Sequence, residues 1–121
     1  MNILRIDTTD PETLVAAAYR DGDLVAEERV PARRRQSEEL LPAVDRVLAK
    51  AGWRMADLEK IIVANQGGSF TSLRIGVVTA NALAFALRIP IEGTAGKQGT
   101  GAYVEPIYDN TPEFVVKKKS L

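Results

Sequence analysis

Few residues in this chain could do chemistry, and they sit in two places. Asp7-Thr8-Thr9 ends an apolar run, Ile3 to Ile6, that reads as a strand, so one carboxylate and two hydroxyls gather at its tip. Such a tip could hold a phosphate or a magnesium ion, and a turn-capping aspartate explains it equally well. The second place is Gln66-Gly67-Gly68-Ser69-Phe70-Thr71, a glycine turn between the strand-like Lys60 to Ala64 and an apolar segment that runs to Leu87. Free N–H groups and the helix dipole would converge there on a phosphate, although tight chain reversal alone also asks for the glycines. Gly96-Lys97 invites a P-loop reading, but Ile91 stands where that motif needs glycine and Gln98 where it needs Ser or Thr. The chain has no cysteine and no histidine, which removes thiolate chemistry, the commonest general base and the commonest metal ligand. Arg33-Arg34-Arg35 lacks interleaved aromatic residues and reads as a solvated loop rather than a nucleic-acid patch.

The elements that must position these residues follow from pattern. At 121 residues one domain is expected, and sixteen basic against sixteen acidic residues recruit neither nucleic acid nor an anionic membrane. With no signal-like N-terminus and no run near the ~20 apolar residues of a membrane span, a cytoplasmic protein is expected. After Asp10-Pro11, the runs Leu14 to Tyr19 and Leu24 to Val30 flank Asp21-Gly22, a favoured hairpin pair, so the first thirty residues predict a three-stranded antiparallel meander. Leu40, Leu41, Val44, Val47, Leu48 and Ala51 recur at helical spacing, with Ser37 as the expected N-cap and Gly52 as the stop; Pro42 predicts a bend or a later start. Trp53 to Glu59 is a connector with a helical turn near Asp57, and Ile89 to Gly93 gives one more short strand. The expected layout is a lobe over 1–93, a glycine-rich linker over 94–102, and a tail over 103–121 with strand character at Tyr103 to Tyr108 and Glu113 to Lys117. This order suits an α/β fold, a mixed five-stranded sheet with helices packed on it.

The helix after the glycine turn is apolar nearly all round, with Ser69 or Thr71 as its cap. Ser72, Gly76, Ala80 and Ala84 recur every four residues, a ridge of small residues along which another helix could approach, while Ile75, Val78, Ala82 and Phe85 would cover the sheet. A bulky residue at Gly76 is then expected to push a partner helix away and leave the chain folded.

Four blocks carry a resemblance. Ile6-Asp7-Thr8-Thr9, Arg35-Gln36-Ser37-Glu38-Glu39-Leu40-Leu41-Pro42, Gly68-Ser69-Phe70-Thr71-Ser72-Leu73-Arg74-Ile75-Gly76 and Ala84-Phe85-Ala86-Leu87-Arg88-Ile89-Pro90 resemble the tRNA threonylcarbamoyladenosine biosynthesis protein TsaB family, also called YeaZ. The resemblance implies an actin-like, ribonuclease-H-like lobe and a non-catalytic role. TsaB proteins pair with the related catalytic subunit TsaD, which transfers threonylcarbamoyl to the adenosine next to the tRNA anticodon, and the ATPase TsaE joins them. Their two N-terminal helices form the dimer face, with a second copy or with TsaD.

The chain departs from that family where Gln66-Gly67-Gly68 replaces Gly-Pro-Gly, Ser72 replaces glycine, and Gln36 replaces histidine. The family's second subdomain has no counterpart between Gly93 and Glu105-Pro106-Ile107-Tyr108. The expected partner-binding residues are Leu41, Val44, Leu48, Ser72, Arg74, Ile75, Gly76, Thr79, Ala80 and Leu83, and the structural turn is Gly67, Gly68, Ser69, Phe70 and Thr71. Asp7, Thr8 and Thr9 could be a vestigial phosphate site. No catalytic residue, metal or cofactor is expected, nor ATP hydrolysis. The expected partners are a TsaD-like subunit, a TsaE-like ATPase and a second copy, with tRNA reached only through the complex. Two other classes are a metal-dependent ribonuclease-H-like nuclease, against which the absence of an acid at Ala64-Asn65-Gln66 speaks, and a small actin-like nucleotide binder.

Overall fold

A computed structural model describes residues 1–95 and 103–107. The opening meander is β1 (Asn2–Asp7), β2 (Thr13–Arg20) and β3 (Asp23–Pro31). Helix α1 (Gln36–Ala51), a 3-10 turn (Met55–Asp57), β4 (Lys60–Val63), α2 (Phe70–Leu87) and β5 (Ile91–Gly93) follow. The strands lie in the order β3-β2-β1-β4-β5, antiparallel across the meander and parallel from β1 through β4 to β5. This is the mixed five-stranded sheet that the pattern predicts. Asp21 and Gly22 both take positive φ, 51° and 87°, as a tight hairpin turn between right-twisted strands requires. Of the linker expected over 94–102 only Thr94 and Ala95 are described, and the strand expected over 113–117 falls outside the described residues; Tyr103 to Ile107 form no strand, only one bridge from Ile107 to Gln66.

Alternate strand residues decide where the core sits. Leu4 and Ile6, Leu14, Ala16 and Ala18, Ile61 and Val63, and Ile91 point to one face and join a single core with Leu40, Val44 and Val47 of α1 and Leu73, Val77 and Ala80 of α2. Both helices therefore cover the same face of the sheet. On the opposite face Ile3, Arg5, Tyr19 and Ile62 line a shallow groove.

Helix α1 starts two residues earlier than its sequence suggests. Arg35 is the N-cap, with no side-chain cap bond, and Ser37 lies exposed inside the first turn. Gln36 takes the buried place instead: its Nε2 donates to the carbonyls of Asp10 at 2.8 Å and Thr13 at 2.7 Å, with Thr8 at 3.3 Å, tying α1 to the turn after β1. Pro42 does not end the helix. It stands on the exposed side, as does Glu38, whose carbonyl loses its helical donor and is left to water. Gly52 closes the helix at φ 77°, the left-handed C-cap that favours glycine.

Ion pairs fasten α1 to the sheet edge. Glu28 of β3 accepts from Lys50 and, at 2.8 Å, from Arg46, and only 15 % of its side chain is exposed. Those bonds, Lys50 first, hold the Glu28 carboxyl below its ordinary value of 4.5. A carboxyl lowered by folding stabilises the native state above its unfolded value and loses that contribution as pH falls through the lowered one. Thermal melts stepped down from pH 7 should therefore show Glu28→Gln less stable than the parent at neutral pH, with the gap closing well below pH 4.5. A gap that stays constant with pH would show that the pairs carry no linkage.

Candidate functional site

The strand tip and the glycine turn meet, and they are bound to each other. Thr8, 1 % exposed, donates from Oγ1 to the Ser72 carbonyl at 2.5 Å and accepts from the Gly76 N–H at 3.1 Å. Those two groups are the acceptor and donor of a single helical rung, so the hydroxyl reads α2 at one level of its hydrogen-bond ladder. Asp7 Oδ1 accepts from the Thr9 N–H at 2.9 Å and the Thr9 hydroxyl at 2.6 Å, and its other oxygen lies 3.8 Å from Arg5. All three residues read as a phosphate site are engaged within the chain.

The turn is pressed onto that tip. Gly67 and Gly68 have φ of 98° and 76°, and a Cβ on Gly68 would lie 1.7 Å from the Thr9 carbonyl oxygen. Here the glycine serves both backbone conformation and close approach. Ser69 then caps α2 by accepting from the Ser72 N–H at 3.1 Å, one of the two caps considered from sequence.

The two faces of α2 are the reverse of those expected. Ser72, Gly76, Ala80 and Ala84 are buried against the sheet, and a Cβ on Gly76 would lie 2.5 Å from Thr8 Oγ1. Val78 and Phe85, expected on the sheet, are 59 % and 83 % exposed. Small residues do mark a close approach, and at Gly76 the approaching group is Thr8, just past the end of β1. Of the expected partner-binding residues, Val44, Leu48, Ser72, Gly76 and Ala80 are thus buried in the lobe. Leu41 and Arg74 are exposed, and Ile75, Thr79 and Leu83 half-buried.

What faces outward is an apolar seam. Thr71, Ile75, Val78, Ala82 and Phe85 alternate in steps of four and three, the spacing that keeps one line of a helix against another helix. Over its 18 residues α2 has a mean hydropathy of 1.5, enough by length and composition to cross a membrane, yet only 33 % of that window is buried. Beside the seam, Ser37, Phe70, Arg74, Ile75, Val78 and Thr79 line a groove of ≈ 360 Å³, with Leu41 exposed on α1. The Arg74 guanidinium lies 5.6 Å from the Phe70 ring centroid. Sequence reasoning placed Val78 and Phe85 on the wrong face and left Phe70 as a turn residue. Among the described residues no three acidic side chains gather as a metal site would need.

The Gly76 contact generates a stability test. Gly76→Ala should destabilise the fold by roughly 1–3 kcal/mol through overpacking on Thr8, contrary to a surface role. Thr8→Ala in that background should recover a large part of the loss, because it removes the hydroxyl and methyl on which the new Cβ would press. Chemical denaturation of the four members of this cycle measures the coupling, and strict additivity would refute the contact.

Comparison with known proteins closes the argument. The family model described as "TsaD: tRNA N6-adenosine threonylcarbamoyltransferase" matches residues 30–97. The tRNA threonylcarbamoyladenosine biosynthesis protein TsaB of Bacillus subtilis is 35% identical over 90% of this chain and 50% of its own length. TsaB of Escherichia coli is 33% identical over 78% of this chain and 40% of its own. Among solved structures, YeaZ from Pseudomonas aeruginosa superposes with a TM-score of 0.71 at 28% identity, covering 78% of this chain and 43% of that one. The chain thus spans half or less of the length of these relatives, and its mixed sheet with two helices on one face is the actin-like fold they share. On the family match, the TsaB relatives and the YeaZ likeness together, the chain belongs to the TsaD family, on its TsaB (YeaZ) branch.

Proposed function

We propose that this chain is a non-catalytic scaffold of the machinery that adds threonylcarbamoyl to the tRNA adenosine next to the anticodon. It docks a TsaD-like catalytic subunit, or a second copy of itself, through the outward seam of α2 and the Leu41 edge of α1. A TsaE-like ATPase joins through that assembly, and tRNA is met only there. The observation that carries this reading is the outward apolar surface: Phe85 and Val78 on the seam, and Phe70 and Leu41 beside it, are each about half exposed or more. Full burial of such a side chain is worth about 1.5–3 kcal/mol. A monomer gains nothing from leaving four of them in water, whereas a helical partner recovers that area.

The nuclease and nucleotide-binding readings have less support. At the end of β4 stand Asn65, fully buried, and Gln66, with no carboxylate. Asp7 is turned to Thr9 and Arg5 rather than outward. ATP turnover that Asp7→Ala abolishes would contradict the scaffold reading.

The seam is testable without disturbing the fold. Val78→Asp and Phe85→Asp place a charge on exposed positions, so melting temperatures should move by no more than a few degrees. Affinity for a TsaD-type partner, or the self-association constant where no partner is present, should fall about tenfold or more, since a desolvated unpaired charge costs several kcal/mol. Sedimentation velocity with and without the partner measures both. Unchanged association in both variants would remove the proposal.

A further inference from the structure

Residues 103–107 lie on the lobe in a way that neither the sheet nor the helices require. Val104 is 2 % exposed and belongs to the core, although it sits in no helix or strand. One side chain holds its backbone on both sides: Asn81 Nδ2 donates to the Val104 carbonyl at 2.8 Å, and the Val104 N–H donates to Asn81 Oδ1 at 2.8 Å. One position on, Asn65 Nδ2 donates to the Glu105 carbonyl at 3.0 Å. The Ile107 N–H then donates to the Asn65 carbonyl at 2.6 Å, in a parallel bridge with Gln66.

Both asparagines are anchored from the lobe. Asn81 Nδ2 also donates to the Val77 carbonyl at 3.0 Å, one turn earlier in α2. Asn65, fully buried, exchanges bonds with Ala95, accepting from its N–H at 2.9 Å and donating to its carbonyl at 3.2 Å. Gly93 makes room for that amide, since a Cβ there would lie 2.7 Å from it. A carboxamide is chemically a peptide group, so Asn81 offers an extended backbone the donor and acceptor that a neighbouring strand would.

We infer that this surface is a peptide-docking groove, built from the end of β4, the middle of α2 and residues 93–95, and filled in cis by residues 103–107. Its ligand is an extended segment with a β-branched apolar side chain at the Val104 position. The bonds described use the N–H and C=O of residue 104, the C=O of 105 and the N–H of 107. Pro106, which has no N–H, falls where the groove takes no donor. Nothing in this depends on the partner reading of the α2 seam. Being part of the same chain holds the cis segment at an effective concentration on the order of millimolar, so a free peptide enters only where that segment has been displaced.

Val104→Asp in the whole chain displaces it, because a carboxylate does not stay in the core. A fluorescent peptide of sequence Tyr-Val-Glu-Pro-Ile-Tyr should then bind the variant saturably in an anisotropy titration, about tenfold or more tighter than it binds the parent. Adding Asn81→Ala, or replacing the peptide valine with aspartate, should abolish the binding. A Val104→Asp chain that keeps its far-ultraviolet spectrum yet takes up no peptide would overturn the inference, as would binding indifferent to Asn81→Ala. Should that variant not fold, hydrogen exchange on the parent decides: a docked segment opens on its own, so the Val104 and Ile107 amides should exchange at least about tenfold faster than those of β1 and β4. Equal protection would overturn the groove.

Discussion

One buried hydroxyl ties the two halves of this lobe together. Thr8 directly follows the central strand and bonds both partners of one rung of α2, the Ser72 carbonyl and the Gly76 amide. The contact works only because residue 76 has no side chain to stand in the way. It sets how far α2 slides along the sheet, and so which of its residues reach the core and which reach water. Apolar burial supplies the driving force but is indifferent to a shift of one turn; a directional bond to one rung is not. The second glycine contact, Gly68 on the Thr9 carbonyl, holds the entry to the same helix from the other side.

The rest of the polar interior does the same kind of work. Gln36 gathers backbone carbonyls after β1, Asn65 gathers the chain beyond β5, and Asn81 holds Val104. Each is a carboxamide, able to donate and accept at once, and each satisfies backbone groups where regular structure stops. An exception is the Trp53 indole N–H, which is buried without an acceptor among the described residues, while Arg20 stacks on the ring at 5.3 Å.

Much of this fold was legible in the sequence, because the decisive signals were local. Asp21-Gly22 named its turn, the alternation in β1 and β2 named the buried face, and Gly52 named the end of α1. The facing of α2 was not legible for a physical reason. A four-residue stripe of small side chains says that some backbone comes close, and a sheet strand followed directly by threonine meets the condition as well as a helix does. Near-uniform apolarity then removes the amphipathic signal that would have chosen between faces. Ser37 misled in a similar way: it is a good cap by type, but Gln36 is the residue whose amide has carbonyls to reach. Asn81 did leave a trace, as a lone amide within the apolar run Val77 to Leu87, and only the docked segment gives it a reason.

The outward side of α2 has a further consequence in its lack of charge. Arg74 is the only charged residue between Phe70 and Leu87, and it leans on Phe70. A surface of that kind has no long-range field with which to draw in a partner, so encounters are slow and duration carries the affinity. Association across it, as proposed, would then be nearly blind to ionic strength and weaken on cooling, since the release of water from apolar area would be its main source of free energy. Dilution in a cold buffer, rather than added salt, is the condition under which such a pair comes apart.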